Sequence, residues 1–295
     1  MLDTIRHHPL LVLSQVARDP LDAFAALQEE ILSRFEVENT ASYAADPDWE
    51  TNLLRRLNAN AEPAAAEFWP LWHRVVASLR DRGIKVGPFS FHAWNDGDAG
   101  FVRALWHLIR HTRPGIVVET GVAHGMTSRF ILEALERNRA GYLWSIDLPP
   151  FNPRTRQEIG VAVDNDRLHR RWAYITGTSR RKLPALLAQL RRVDLFVHDS
   201  MHSKRNVMFE LELAWRYLSP GGFILVDDID ANAAFTLFIE RHPGVPSFVC
   251  TAEPISPDMR RFNQKGLFGI ICKAGDRPDH LPFQAPTGDW SDPGT

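Results

Sequence analysis

Cysteine is scarce in this chain of 295 residues, where only Cys250 and Cys272 occur, each inside an apolar run. Two thiols cannot form a disulfide framework, and their spacing does not match a zinc site. We interpret them as reduced, buried side chains.

Long apolar runs and an excess of one charge are also lacking. The apolar stretch after Pro9 is followed closely by Arg18 and Asp19, so it is too short for a signal sequence or a membrane span. The formal net charge of −2 gives no overall electrostatic reason to expect nucleic acid or an anionic membrane as a partner. We therefore expect a cytoplasmic protein with neither partner.

The composition is that of an ordinary globular protein, with 44% hydrophobic and 24% charged residues. The length suits one large α/β domain with an appendage, or two modest domains. We predict a helical N-terminal extension over residues 1–97, a catalytic domain over 98–273, and a loose tail rich in Pro, Gly and Asp over 274–295.

The extension contains two helical patterns. Asp19 can cap the first helix and Pro20 suits its first turn, and apolar residues then recur at helical spacing: Leu21, Phe24, Leu27, Ile31 and Phe35. The second pattern covers residues 63–80, where Pro70 is expected to kink or split the helix. A polar segment over 38–60 separates the two, and residues 85–98 are interpreted as the joint to the main domain.

From Asp98 onward, short apolar segments alternate with helical patterns, which predicts βαβ units and a mainly parallel sheet. The helical patterns cover residues 128–138, 183–192, 206–218 and 233–241. The strand candidates are, in order, GIVVET, YLWSID, WAYITG, DLFVHD, GGFILVDD, PSFVC and GLFGIICK.

A glycine turn follows the first of these strands, in VVETGVAHGMTSRF. The strand ends at Glu119, the turn contains Gly121 and Gly125, and a helix begins near Met126 or Thr127. Glycines let the turn close and let a ligand approach the N–H groups at the helix start. The next strand ends in Asp147, which is placed to accept the ribose hydroxyls of an adenosine group.

The spacing of the two glycines bears on the ligand. Dinucleotide folds use GxGxxG, whose third glycine packs the helix tightly under a pyrophosphate, whereas this turn reads GxxxG. S-adenosylmethionine, which has no pyrophosphate, therefore fits better, and Thr127 and Ser128 could bond its carboxylate. A nicotinamide-dependent oxidoreductase or a sugar-nucleotide enzyme is the alternative on a similar sheet.

Acidic residues follow two later strands. Asp199 ends DLFVHD, and Asp227 with Asp228 ends GGFILVDD, so adjacent parallel strands would bring the three carboxylates to one edge. Clustered carboxylates repel one another unless a cation lies between them, and Mg²⁺ is the natural candidate. The alternative is that Asp228 or Asp230 merely caps the following helix.

His202 lies three residues after Asp199, on the loop or first turn before a helix. Transfer of a methyl group to oxygen needs the acceptor hydroxyl to lose its proton, and an imidazole can take it. A lone histidine is usually structural, and His198, inside its strand, is interpreted as packed there.

Taken in order, these motifs resemble a class I S-adenosylmethionine-dependent methyltransferase over residues 98–273. Within that class the chain is most similar to the metal-dependent small-molecule O-methyltransferases, the macrocin O-methyltransferase and cephalosporin-hydroxylase-like group. The residues that carry the resemblance are Glu119, Gly121, Gly125, Asp147, the GTS segment ending at Ser179, and the segments VHDSMH and PGGFILVDD.

The resemblance implies a Rossmann-like α/β fold with a seven-stranded sheet, its last strand antiparallel, and makes the Cys250 and Cys272 strands neighbours. It implies that the residues holding the cofactor are Glu119, Gly121, Gly125, Thr127, Ser128, Asp147 and Ser179. It further implies that Asp199, Asp227 and Asp228 hold the metal, with Asp199 and His202 as the catalytic residues.

The expected function is therefore the S-adenosylmethionine-dependent and Mg²⁺-dependent O-methylation of a small-molecule hydroxyl on a sugar, a polyketide or another secondary metabolite. The expected cofactors are S-adenosylmethionine and Mg²⁺ or a similar divalent cation. A non-catalytic module that only binds the cofactor is a second alternative. The N-terminal helices are expected to cover the acceptor site or to form a homo-oligomer.

Overall fold

The computed structural model describes residues 16–17, 19–33, 35–36, 42–59, 62–91, 94–148, 156–253 and 266–275. The predicted tail lies outside this part of the chain from residue 276 onward. The helices are α1 Pro20–Ser33, α2 Trp49–Arg56, α3 Glu62–Asp81, α4 Ala99–Thr112, α5 Met126–Asn138, α6 Asp166–His169, α7 Ser179–Leu190, α8 Lys204–Tyr217 and α9 Ala234–Arg241. The strands are β1 Gly87–Phe91, β2 Trp94–Asp96, β3 Ile116–Thr120, β4 Tyr142–Asp147, β5 Trp172–Thr176, β6 Val193–His198, β7 Leu218–Val226, β8 Ser247–Thr251 and β9 Leu267–Cys272.

Seven strands form one sheet in the order β5-β4-β3-β6-β7-β9-β8. The first five are parallel, and β9 is antiparallel to both β7 and β8. This confirms the Rossmann-like α/β fold, its antiparallel last strand and the pairing of the strands that carry Cys250 and Cys272. The strand order reverses between β3 and β6, and ligands bind at such a switch point in open α/β sheets.

The sheet is covered on both faces because its strands alternate their side chains between two apolar layers. Val117 lies in the layer formed with α3, α4 and α5, whereas its neighbour Val118 lies in the layer formed with α7, α8 and α9. The helix α3 belongs to the first layer through Phe68, whose ring lies 5.4 Å from Phe130 and 6.2 Å from Trp106. Part of the N-terminal extension thus shares its core with the sheet, while the boundary between residues 97 and 98 stays a prediction.

Several local elements differ from the expectation. The predicted joint over 85–98 contains the antiparallel pair β1 and β2, and the polar segment over 38–60 contains α2, whose Trp49, Leu53 and Leu54 are buried. Pro70 lies inside the single helix α3 and does not split it. Each segment is polar on average, so its sequence did not reveal these short elements. A few apolar side chains are enough to stabilise such an element when they can pack against an existing core.

The helix α1 begins as predicted, because Asp19 Oδ1 accepts a hydrogen bond from the Asp22 backbone N–H at 2.9 Å. Two of its large apolar residues, however, face solvent, since Leu21 is 63% and Phe24 65% exposed, and Phe35, just after the helix, is 80% exposed. Asp22 and Glu29 instead point inward, toward the starts of α7 and α8. An amphipathic spacing alone does not say which face meets the core, and here charge pairing decides it.

Candidate active site

The glycine turn follows β3 and leads into α5. Gly121 and Gly125 have φ values of 88° and 83°, and Gly125 is the N-cap of α5. A Cβ on Gly121 would lie 1.8 Å from the Asp199 carbonyl oxygen, so only glycine fits there. The turn is thereby pressed against the loop that carries Asp199, as the sequence order suggested.

Asp147 ends β4 and faces the same turn. Its Oδ2 accepts hydrogen bonds from the backbone N–H groups of Val122 and Ala123, both at 3.2 Å. Burial raises the pKa of this carboxyl to about 6, although the backbone hydrogen bonds oppose the shift. The structure therefore places Asp147 beside the glycine turn, where the expected adenosine would meet both.

Glu119 lies at the base of the turn and is fully buried. Its Oε2 accepts hydrogen bonds from the hydroxyls of Ser128 and Ser145, each at 2.6 Å. Its Oε1 is buried without a hydrogen-bond partner, and burial raises the pKa of the carboxyl to about 7. Ser128 thus supports Glu119, whereas the sequence reading assigned it to the cofactor carboxylate.

The GTS segment lies at the start of α7, after β5. Ser179 is the first residue of α7, and its Oγ lies 3.5 Å from Asn206 Oδ1. Asp22, from α1, accepts hydrogen bonds from both the backbone N–H and the hydroxyl of Thr178 at 3.0 Å. No sequence pattern predicted this contact between the N-terminal helix and the edge of the sheet.

The acidic and histidine residues come together at the ends of β6 and β7. Asp199, His202 and Asp227 each offer one ligand atom, and these atoms all lie within 4.8 Å of one another. Thr127 Oγ1 donates to Asp199 Oδ2 at 3.3 Å, which connects this cluster to the start of α5. Two of the three expected metal residues are thus in one group, with His202 as its third member.

Asp228 lies beside the cluster. It adopts a left-handed conformation with φ 49°, and its Oδ2 is 3.9 Å from His202 Nε2. It is the N-cap residue of the 3-10 helix Ile229–Ala231 but makes no side-chain capping hydrogen bond, so the simple capping alternative for Asp228 is not what the structure shows. Its role as a metal ligand stays a prediction.

The electrostatics of the cluster favour a cation. Burial and the negative charges of Asp228 and Asp199 raise the pKa of Asp227 well above its usual value. Burial, with the neighbouring His198, lowers the pKa of His202 to about 3, so its imidazole is neutral at physiological pH. A neutral imidazole beside carboxylates can coordinate a metal, whereas so low a pKa opposes proton uptake in the ligand-free protein.

Sequence reasoning missed Glu210, which lies on α8 and is fully buried. His198 Nδ1 lies 2.6 Å from its Oε2, so His198 is bonded as well as packed. Burial alone would raise the pKa of Glu210, but the charge of His198 and the hydrogen bonds from His198 and Thr120 lower it to about 2. Only its position in a helix that follows the acidic loop could have suggested it.

Comparison with known proteins agrees with this geometry. A family model described as a methyltransferase domain matches residues 118–229, which run from β3 to the 3-10 helix. Over these residues the chain is similar to a methyltransferase domain, in agreement with the resemblance in its sequence. The matched stretch includes the glycine turn, Asp147 and the whole acidic cluster. No curated protein sequence matches the chain.

Solved structures share the fold at low sequence identity. The O-methyltransferase TomG from Streptomyces achromogenes, in complex with S-adenosylmethionine, has a TM-score of 0.50 at 14% identity, covering 69% of this chain and 89% of that one. An O-methyltransferase from Bacillus cereus in complex with S-adenosylhomocysteine has a TM-score of 0.49 at 12% identity, covering 68% and 90%. At such identities the likeness concerns the fold.

Within the described ranges, every helix of the protein is too short or too polar to cross a lipid bilayer.

Proposed function

We propose that the methyltransferase transfers the methyl group of S-adenosylmethionine to a hydroxyl of a small molecule, such as a sugar or a polyketide, with a divalent cation at the acidic cluster. The observation that carries the proposal is the convergence of Asp199, His202 and Asp227, within 4.8 Å of one another, directly beside the glycine turn. A cofactor site and a hydroxyl-activating site would thus share one edge of the sheet.

The residues around the turn suit the cofactor. Gly121, Gly125, Thr127 and the start of α5 would receive its amino-acid part, and the unpartnered Glu119 Oε1 is a fitting acceptor for its ammonium group. In the proposal Asp147 would accept the ribose hydroxyls. Ser128, at the base of the turn, and Ser179, at the start of α7, are the two further residues that we assign to cofactor binding.

The acidic cluster suits a divalent cation. Asp227 is buried, with only 9% of its surface exposed, and its Oδ1 has no hydrogen-bond partner. A buried carboxylate oxygen without a partner, next to Asp199 and Asp228, is costly unless a positive charge compensates it. Oxygen ligands from aspartates favour Mg²⁺, and the nearby imidazole would also allow Mn²⁺.

The bound cofactor would supply an electrophilic methyl group, and the cation would supply positive charge that makes an acceptor hydroxyl more acidic. In this proposal Asp199 orients the acceptor substrate, and a hydrogen bond from Thr127 Oγ1 holds the Asp199 carboxylate in place. His202 Nε2, 3.9 Å from Asp228 Oδ2, would accept the hydroxyl proton, which requires the bound acceptor to raise the pKa of the imidazole above its value of about 3 in the ligand-free protein. Holding donor and acceptor in line would provide much of the rate enhancement.

Calorimetric titration tests this function. The parent protein, Asp199→Ala and the control Asp48→Ala would be titrated with S-adenosylhomocysteine, with and without Mg²⁺. Asp48 is exposed, and its side chain makes no capping bond. We expect the parent and the control to bind both ligands, and Asp199→Ala to lose Mg²⁺ binding. A parent that binds neither ligand would refute the proposal, and binding without methyl transfer to any hydroxyl acceptor would favour the non-catalytic module.

We also propose that α1 mediates self-association of the methyltransferase. The support is the exposed apolar face of α1 and the turn after it. Its large side chains are exposed at heptad-like spacing: Leu21, Phe24, Ile31 and Phe35.

A further inference from the structure

Glu210 makes an unusually complete set of hydrogen bonds for a buried carboxylate. Oε2 accepts from Thr120 Oγ1 at 2.5 Å and lies 2.6 Å from His198 Nδ1. Oε1 accepts from Ser200 Oγ at 2.8 Å and from Asn206 Nδ2 at 2.9 Å. A carboxylate has about four lone-pair positions, and all four are used here.

The four donors come from the segments that build the active site. Thr120 directly precedes Gly121 of the glycine turn, and His198 and Ser200 flank Asp199 on either side. The Asn206 side chain, in the first turn of α8, donates to the Met201 carbonyl as well, at 3.1 Å. One buried carboxylate therefore connects the end of β3, the end of β6 and the loop that follows β6.

We infer that Glu210 is the positioning residue of the acidic cluster, which fixes the loop from Asp199 to His202 so that both residues present their ligand atoms toward Asp227. This inference rests on the proposed function, because it assumes that the cluster holds a cation. Replacing a group that orients metal ligands through hydrogen bonds typically changes the metal affinity by about 10–100-fold.

A glutamine at this position separates positioning from simple space filling. The substitution Glu210→Gln keeps the shape but leaves one acceptor oxygen, so the amide NH₂ would face two of the present donors. The loop must then shift, or a donor must turn away. The charge also disappears beside His198, which removes an attraction inside a poorly hydrated region.

Two residues on the same helix provide matched controls. Leu211 is fully buried in the apolar layer formed with α7 and α9, and Leu211→Ala would destabilise the fold without touching the four donors. Glu212 pairs with Arg241 at 3.3 Å on the outside of α8, so Glu212→Gln removes a carboxylate of the same kind at the protein surface.

The experiment measures Mn²⁺ affinity of the full-length proteins by calorimetry and by the paramagnetic resonance of unbound Mn²⁺, with a thermal melt for each variant. We expect Glu210→Gln to weaken Mn²⁺ binding about tenfold or more. Glu212→Gln should bind as the parent does. Leu211→Ala should lower Tm yet keep the parent's affinity, because a purely structural loss does not move the ligand atoms.

The inference is overturned if folded Glu210→Gln binds Mn²⁺ as the parent does, or if Leu211→Ala weakens binding as much at an equal loss of Tm. Should Glu210→Gln fail to fold, Ser200→Ala removes one loop donor and leaves the carboxylate in place. Weaker Mn²⁺ binding by that variant at nearly unchanged Tm supports the inference, and parent-like binding overturns it. A parent that binds no Mn²⁺ instead refutes the metal centre itself, and the inference with it.

Discussion

Asp22 and Thr178 join the N-terminal helix to the cofactor edge of the sheet. Asp22 Oδ1 accepts hydrogen bonds from both the backbone N–H and the hydroxyl of Thr178, each at 3.0 Å. Thr178 is the N-cap residue of α7 and makes no capping bond of its own. Asp22 therefore supplies from another helix the acceptor that a local cap normally provides. The same Asp22 oxygen also lies 2.9 Å from Arg181 Nη1, with which it forms an ion pair.

This relationship predicts that Asp22→Ala releases α1 and weakens the start of α7. The expected loss is roughly 0.5–2 kcal/mol of unfolding free energy, the range for removing a helix cap. Amide hydrogen exchange of residues 20–33 should become faster, while exchange in β6 and β7 should change little. The control is Asp48→Ala, whose carboxylate makes no capping bond. Unchanged exchange in α1 would show that Asp22 does not hold it.

The sheet was predictable from the sequence because short apolar strands alternate with amphipathic helices, a pattern set by neighbouring residues. The contacts that complete the site were not. Asp22 and Thr178 lie 156 positions apart, and Thr120 and Glu210 lie 90 apart. Many acidic residues look equivalent along the chain, and only the folded arrangement shows which of them meets unsatisfied N–H groups. The glycine turn was recognisable since its constraint is local.

A pair of glycine substitutions tests the contact between the glycine turn and the Asp199 loop. Gly121 and Gly244 have similar φ values, 88° and 83°, but a Cβ would meet the Asp199 carbonyl at Gly121 and nothing within 4 Å at Gly244. Gly244→Ala should cost about 1–2 kcal/mol, the penalty of the left-handed conformation. Gly121→Ala should cost clearly more and should abolish S-adenosylhomocysteine binding. Urea unfolding and calorimetry check both, and equal losses for the two variants would contradict the close approach.

The pH dependence of stability follows from Glu119. Its pKa is raised from 4.5 to about 7, chiefly by burial, so between these values the folded state binds more protons than the unfolded state. Its contribution therefore becomes less favourable as pH rises from about 4.5 to 7, and the loss is complete above 7. Asp147, with its pKa raised to about 6, adds a loss of the same sign.

The substitution Glu119→Gln isolates the first contribution, since glutamine does not titrate. The unfolding free energy of Glu119→Gln minus that of the parent should increase from pH 5 to pH 8 by up to about 3 kcal/mol, from 1.36 kcal/mol per pKa unit. Urea unfolding of the ligand-free proteins at the two pH values measures it. Glu136→Gln serves as the control, because Glu136 lies near the surface and pairs with Arg171. A difference that stays constant with pH would contradict the raised pKa.

Self-association can be tested on the exposed face of α1. Phe24 is 65% and Phe35 80% exposed, so replacing either by serine removes apolar surface without opening a cavity in the monomer. If this face forms the interface, Phe24→Ser and Phe35→Ser should lower the mass found by light scattering at micromolar concentration while Tm of the dissociated protein stays unchanged. Trp69→Ser is the control, because Trp69 is 40% exposed and lies on α3. A parent that is already monomeric at high concentration would refute this role.

The inner face of α1 is hydrogen-bonded to Thr178 through Asp22. If dissociation of the oligomer also weakens S-adenosylhomocysteine binding, the interface is coupled to the cofactor edge of the sheet.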